Sequence, residues 1–299
     1  MTPQRRQLSR FWLLILFLCL GNLFLLHSPL HLNLNGIPNL PLKGIVVIFY
    51  HIPRTGGTTL RANLEPFLSV VRVAKPRDWD RAEERISRVF QGSGETLFVE
   101  LHGTIPGLAV LQEKIQQWRH QSAKSRVPLF TLTLVRDPVA FSRSYFLHFH
   151  HPKCQWNWCE RETYAQDKEE NLLKTVIPNH QCQLLLLGQR ENKKRRARLQ
   201  QGVTTEQCRQ ELLPLLERDW DWVGTTETLA TVTWPLLTKL LFKNEKLALP
   251  MSRKNASKQN LNQTTQLASS TIHQIRQQSS FDEELYERVS RERWHRNKS

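Results

Sequence analysis

Residues 44–50, GIVVIFY, constrain this chain more than any other segment. A continuous run of β-branched and aromatic residues without polar alternation belongs on a strand buried on both faces. Strands of that kind sit inside parallel sheets covered by helices. The run leads into a turn-rich loop, His51-Ile52-Pro53-Arg54-Thr55-Gly56-Gly57-Thr58-Thr59-Leu60, and then into a helical pattern over 58–67. From there strands and helices alternate. Residues 69–74 read as strand, 78–90 as a helix opened by an acidic N-cap, 96–101 as strand, 107–120 as helix and 128–135 as strand. A helix carries on past Arg136-Asp137-Pro138 to Phe149. The second half is mostly helical, with 222–224 a short strand candidate. Alternation of this kind predicts an α/β fold, a central parallel sheet flanked by helices, with ligands at the carboxyl ends of its strands.

The 299 residues suffice for one large domain and a tail, and the formal charge of +15 favours anionic partners. Nucleic acid, acidic membranes and anionic cofactors or polymers all qualify. The N-terminus narrows that choice. Arg5, Arg6 and Arg10 precede an uncharged Leu- and Phe-rich run over 11–26, and only Lys43 follows closely. This predicts a cytosolic tail (1–10), a transmembrane signal anchor (11–30), a short stem (31–43) and a body beyond the membrane (44–299). A cleaved signal peptide is the competing reading, but no small-x-small cleavage site follows the run. The topology opposes a nucleic-acid partner. It also opposes reading the basic run 193–198 as a nuclear signal; that run suits a solvated face able to touch an acidic glycan.

Cys19 sits in the apolar run. Cys154, Cys159, Cys182 and Cys208 form an even set in a compartment that permits disulfides, and their pairing is open. Cys154 and Cys159 can close a small loop. His148, His150 and His151 beside Cys154 raise a zinc alternative, but the spacing matches no standard zinc module, and no metal is expected.

Two loops carry the chemistry. In the first, Gly56 and Gly57 let backbone approach a ligand closely, and the helix start offers N–H groups and positive dipole to an anion. Thr58 and Thr59 add hydroxyls and Arg54 a charged fork. No Gly-Lys-Ser/Thr tail makes it a Walker A loop. In the second, Leu134-Val135-Arg136-Asp137-Pro138, proline suits the first helical turn, Asp137 can cap it, and Arg136 can grip a phosphate bidentately. Ser144 lies two turns on, with Arg143 the next basic residue.

The first loop resembles the 5′-phosphosulfate-binding loop of sulfotransferases that use 3′-phosphoadenosine 5′-phosphosulfate (PAPS). It is similar to the group containing the heparan sulfate 2-O- and 6-O-sulfotransferases and the uronyl 2-O-sulfotransferases, whose loops read like H-I-P-K-T-G-G-T-T. Arg54 stands where that group usually has lysine. Guanidinium keeps phosphate binding but scarcely gives up a proton, which weighs against late proton donation to the leaving phosphate. The second loop resembles the family's 3′-phosphate element, with Arg136 and Ser144 in matching positions. A histidine base lies after the third strand in the family. His102, in Val99-Glu100-Leu101-His102-Gly103-Thr104, stands in an equivalent stretch, with Glu100 as the fallback and His51 as a support for the first loop. Weaker similarity follows at Asn179-His180-Gln181, Trp222-Val223-Gly224-Thr225-Thr226-Glu227, Asn255-Ala256-Ser257 and Tyr286. Asn255 and Asn262 also begin N-glycosylation sequons.

The resemblance implies a P-loop-like sulfotransferase fold over residues 44–299. The implied reaction moves a sulfuryl group from PAPS to a glycan hydroxyl by in-line displacement. His102 is the base, Arg54 has catalytic and cofactor-binding roles, and Thr55, Gly56, Gly57, Thr58, Thr59, Arg136 and Ser144 bind the nucleotide. The product is adenosine 3′,5′-bisphosphate (PAP), no metal is needed, and the acceptor is an acidic glycan. The chain would be a type II membrane glycoprotein, in the Golgi of a eukaryote or the inner membrane of a bacterium. A non-catalytic glycan-binding protein and a P-loop phosphotransferase are the alternatives; the latter lacks a convincing Walker lysine and magnesium-binding aspartate.

Overall fold

The computed structural model describes residues 44–103, 105–150, 169–188, 203–242, 251 and 267–291. The expected tail, anchor and stem, Thr104, His151, Cys154, Cys159, the 193–198 run and both sequons lie outside them. No helix among the described residues is long and apolar enough to cross a membrane.

Five strands form one sheet: β1 (Ile45–Tyr50), β2 (Ser69–Val73), β3 (Thr96–Leu101), β4 (Leu129–Val135) and β5 (Trp222–Thr225). Their order is β2-β3-β1-β4-β5 and every neighbouring pair is parallel. β1 is central and all six of its residues are buried, which accounts for its unbroken apolar sequence. The α/β architecture is therefore the expected one. Val46, Ile48 and Tyr50 join Val71, Val73, Leu97, Val99 and Leu101 in one core beneath helices α2 (Asp78–Phe90) and α3 (Leu108–Ser125). Phe49 turns to the opposite face, against Phe98. Helix α1 (Gly57–Leu64) follows β1, and α4 (Pro138–Phe149) follows β4.

The chain leaves β1 towards β2 on one side and leaves β4 towards β5 on the other. The carboxyl ends of these adjacent strands thus flank a topological switch point, where an open α/β sheet holds its ligand.

Local capping is partly as expected. Asp137 caps α4 by accepting from Ala140 N at 2.8 Å, with Pro138 in the first turn. The acidic cap of α2 is corrected. Arg77 occupies the N-cap and Asp78 is the first helical residue. Its carboxylate reaches back to accept from Ala74 N and Lys75 N, at 2.9 and 2.8 Å, and so fastens the end of β2 to the helix start. Helix α3 runs on to Ser125, where Arg126 stops it at φ 59°.

Among the described residues, the second half is helical apart from β5. It comprises α5 (Glu169–Thr175), α6 (His180–Leu187), α7 (Thr205–Gln207), a π-helical turn (Cys208–Leu212) and α8 (Leu213–Asp219). After β5 come a second π turn (Leu229–Thr233), α9 (Trp234–Phe242), α10 (Ser269–Gln278) and α11 (Ser280–Arg291). A buried disulfide, Cys182–Cys208, ties α6 to the first π turn and answers one of the open pairings.

Candidate functional site

The β1 loop curls twice through left-handed backbone, at Arg54 (φ 70°) and Gly56 (φ 89°). For glycine this is free, whereas for Arg54 it costs about 1–2 kcal/mol. Thr55 is wholly buried, and its hydroxyl donates to Ile52 O at 2.8 Å. It therefore holds the turn rather than facing a ligand. Gly56 is the N-cap of α1 and supplies no side-chain acceptor to the first helical turn. A helix start built this way suits an outside anion. Thr58 is half-buried there and Thr59 buried. A Cβ on Gly57 would overlap the imidazole of His51, so a side chain there would have to displace that ring.

Arg54 meets the second loop. Its Nε donates to Ser144 Oγ at 3.0 Å, and its Nη1 lies 3.4 Å from Nδ1 of His148. Arg136 Nη1 donates to the Arg54 carbonyl at 3.1 Å. The fold thus brings Arg54, Arg136 and Ser144 into one hydrogen-bonded group. Arg136 is also held through its backbone. Its N–H donates to Gln181 Oε1 and its carbonyl accepts from Gln181 Nε2, both at 2.8 Å. Gln181 N and Cys182 N in turn donate to Asp282, which is buried and whose carboxyl burial pushes up to about 7.

The site is cationic and under-compensated. Burial, and then the charge of Arg136, press the Arg54 guanidinium below its ordinary value. Burial does the same to Arg136, opposed by Glu227 and Asp137. Arg136 Nε is buried without a hydrogen-bond partner, and Glu227 lies 4.0 Å away. Burial and Arg54 likewise lower His148. An anion placed here would relieve two desolvated cations at once.

His102 leaves the end of β3. Its Nδ1 is 3.4 Å from the carbonyl of His51, the first residue of the β1 loop, and the two rings stack with centroids 4.2 Å apart. Burial first, then the neighbouring His51, lowers its pKa from 6.5 to about 3, so it is neutral at physiological pH. Glu100 does not suit the role of fallback base. It is 1% exposed and bound to His51, Arg61 and Arg72.

Several participants escaped the motif reading. His148 lies one turn past Ser144, and helical spacing alone places it on the same face of α4, against the same Arg54 side chain. Gln181 and Glu227 sit in segments marked only by weak similarity, and their contacts with Arg136 depend on tertiary packing. Arg143 acts instead on Glu169. No group of three metal-ligating side chains occurs among the described residues. Comparisons with protein-family profiles, with characterised proteins and with solved structures returned no match.

Proposed function

We propose that this chain is a PAPS-dependent sulfotransferase, built on a P-loop-like sulfotransferase fold, that sulfates a hydroxyl of an acidic glycan. The observation that carries the reading is the joining of Arg54, Arg136 and Ser144 at the carboxyl ends of β1 and β4, next to the uncapped start of α1. A nucleotide with anionic groups at both its 5′ and 3′ positions matches two such loops. In this reading Arg54 and the α1 amides stabilise charge on the leaving 5′-phosphate, while Arg136 and Ser144 take the 3′-phosphate. His102, neutral and at the end of β3, receives the proton of the attacking hydroxyl. With this reading goes the type II topology, the body lying in the Golgi lumen of a eukaryote or across a bacterial inner membrane.

The test is thermal unfolding of the full chain in detergent with PAP, with ATP and with neither. A ligand at 100 times its Kd adds about 2.7 kcal/mol of stability. Selective stabilisation by PAP, lost in Arg136→Ala, is the expected result; equal response to ATP, or none in folded protein, sinks the reading. The low basicity of His102 favours one rival, a non-catalytic glycan-binding protein on the same fold. Sulfate transfer abolished in a folded, PAP-binding His102→Gln variant excludes it.

A further inference from the structure

A second cluster lies beneath the β1 loop. Glu100 Oε1 is 2.6 Å from His51 Nδ1, and both residues are buried. Glu100 Oε2 is ion-paired with Arg61 Nε of α1 at 3.1 Å and with Arg72 Nε of β2 at 3.6 Å. Burial raises the Glu100 carboxyl, but the His51 hydrogen bond and the nearby positive charges outweigh it, and the group stays ionised. An ionised carboxylate only accepts, so His51 Nδ1 carries a proton.

The His51 ring stacks against Phe49 on β1, with centroids 5.3 Å apart, and against His102 at 4.2 Å. The main-chain oxygen of His51 faces His102 Nδ1. A carbonyl accepts and cannot donate, so this contact favours the His102 tautomer with Nδ1 protonated and the lone pair on Nε2. Linked in order, Arg61 and Arg72 fix Glu100, Glu100 fixes His51, and His51 faces His102.

Buried ion clusters are poor stabilisers, because desolvation offsets most of their attraction and apolar side chains of similar volume serve as well. The location of this one supplies a different reason for it. We propose that Glu100 and His51 are positioning residues for His102: the pair fixes the His51 ring and carbonyl, which hold the His102 imidazole with Nδ1 protonated and Nε2 open. Calling His102 the base rests on the sulfotransferase reading; the positioning of its ring does not.

The test uses the full chain in detergent at neutral pH, with histidine ring nitrogens isotopically labelled and the His102 signals assigned from His102→Gln. In the wild type we expect the Nδ1-protonated form to dominate by about tenfold, the worth of one buried hydrogen bond. Glu100→Leu, which removes the acceptor, and His51→Ala should bring the two tautomers to within about threefold of each other. His51→Asn, whose amide can still donate to Glu100, should recover part of the preference, and Arg72→Gln, at the half-exposed edge of the cluster, should lose part. Wild-type His102 protonated on Nε2 overturns the proposal without any variant. So does an unchanged His102 signal in folded Glu100→Leu protein. PAP binding is read on the same samples. Its absence from the wild type would remove the sulfotransferase reading while leaving the tautomer result in force.

Discussion

At residue scale, Gly57 is the point where the backbone of the β1 loop and the His51 ring compete for the same space. Gly57→Ala should cost about 1–3 kcal/mol, the usual penalty for overpacking a rigid neighbour. Denaturant unfolding measures it, and a change under half of the lower figure would show that the ring can move aside. His102 supplies a pH signature. Its folded pKa of about 3 lies below the ordinary 6.5, so the unfolded chain binds a proton there that the fold refuses. Its contribution to stability is therefore complete above 6.5 and is lost as pH falls towards 3. Melting curves across that window should fall less steeply for His102→Gln than for the wild type; parallel slopes would place the imidazole in water. Arg54, Arg136, Ser144 and His102 could be singled out in the sequence by the family resemblance and by following strand ends, and the structure brings the first three together. The Glu100 cluster was not legible in the sequence, because Arg72 and Glu100 meet only through the register of β2 against β3.

At element scale, β1 was readable because burial on both faces leaves an unbroken apolar run, which the edge strand β2, with Arg72 exposed, does not share. Helix starts were less so. An aspartate before a helical pattern can be the cap or the first residue, and only the backbone decides, as Asp78 shows. Helix α6 illustrates a role hidden from composition. Its first turn carries Gln181, which grips both backbone groups of Arg136, and Cys182, whose disulfide anchors the helix to the π turn. Gln181→Leu removes two hydrogen bonds worth about 0.5–1.5 kcal/mol each and takes that partner from both the part-buried N–H and the carbonyl of Arg136. We expect PAP affinity to fall about tenfold or more, measured by calorimetry, with the chain still folded. Wild-type affinity in that variant would mean the Arg136 backbone needs no clamp.

For the whole molecule, the net charge of +15 acts at a distance. The chain should be retained on a sulfated polysaccharide column at low salt and released as ionic strength shortens the Debye length. Retention that is indifferent to salt would assign the contact to something other than charge. Parallel alternation was legible in the sequence; the strand order was not, since several orders satisfy the same right-handed crossovers. That order, with every strand pointing the same way, has a mechanical consequence. The chain enters β1 at Ile45, on the rim opposite the one that carries Arg54, His102 and Arg136. Any pull applied through residue 43 is therefore felt first on the far rim, at the amino end of β1, and Arg54, His102 and Arg136 lie across the sheet from it.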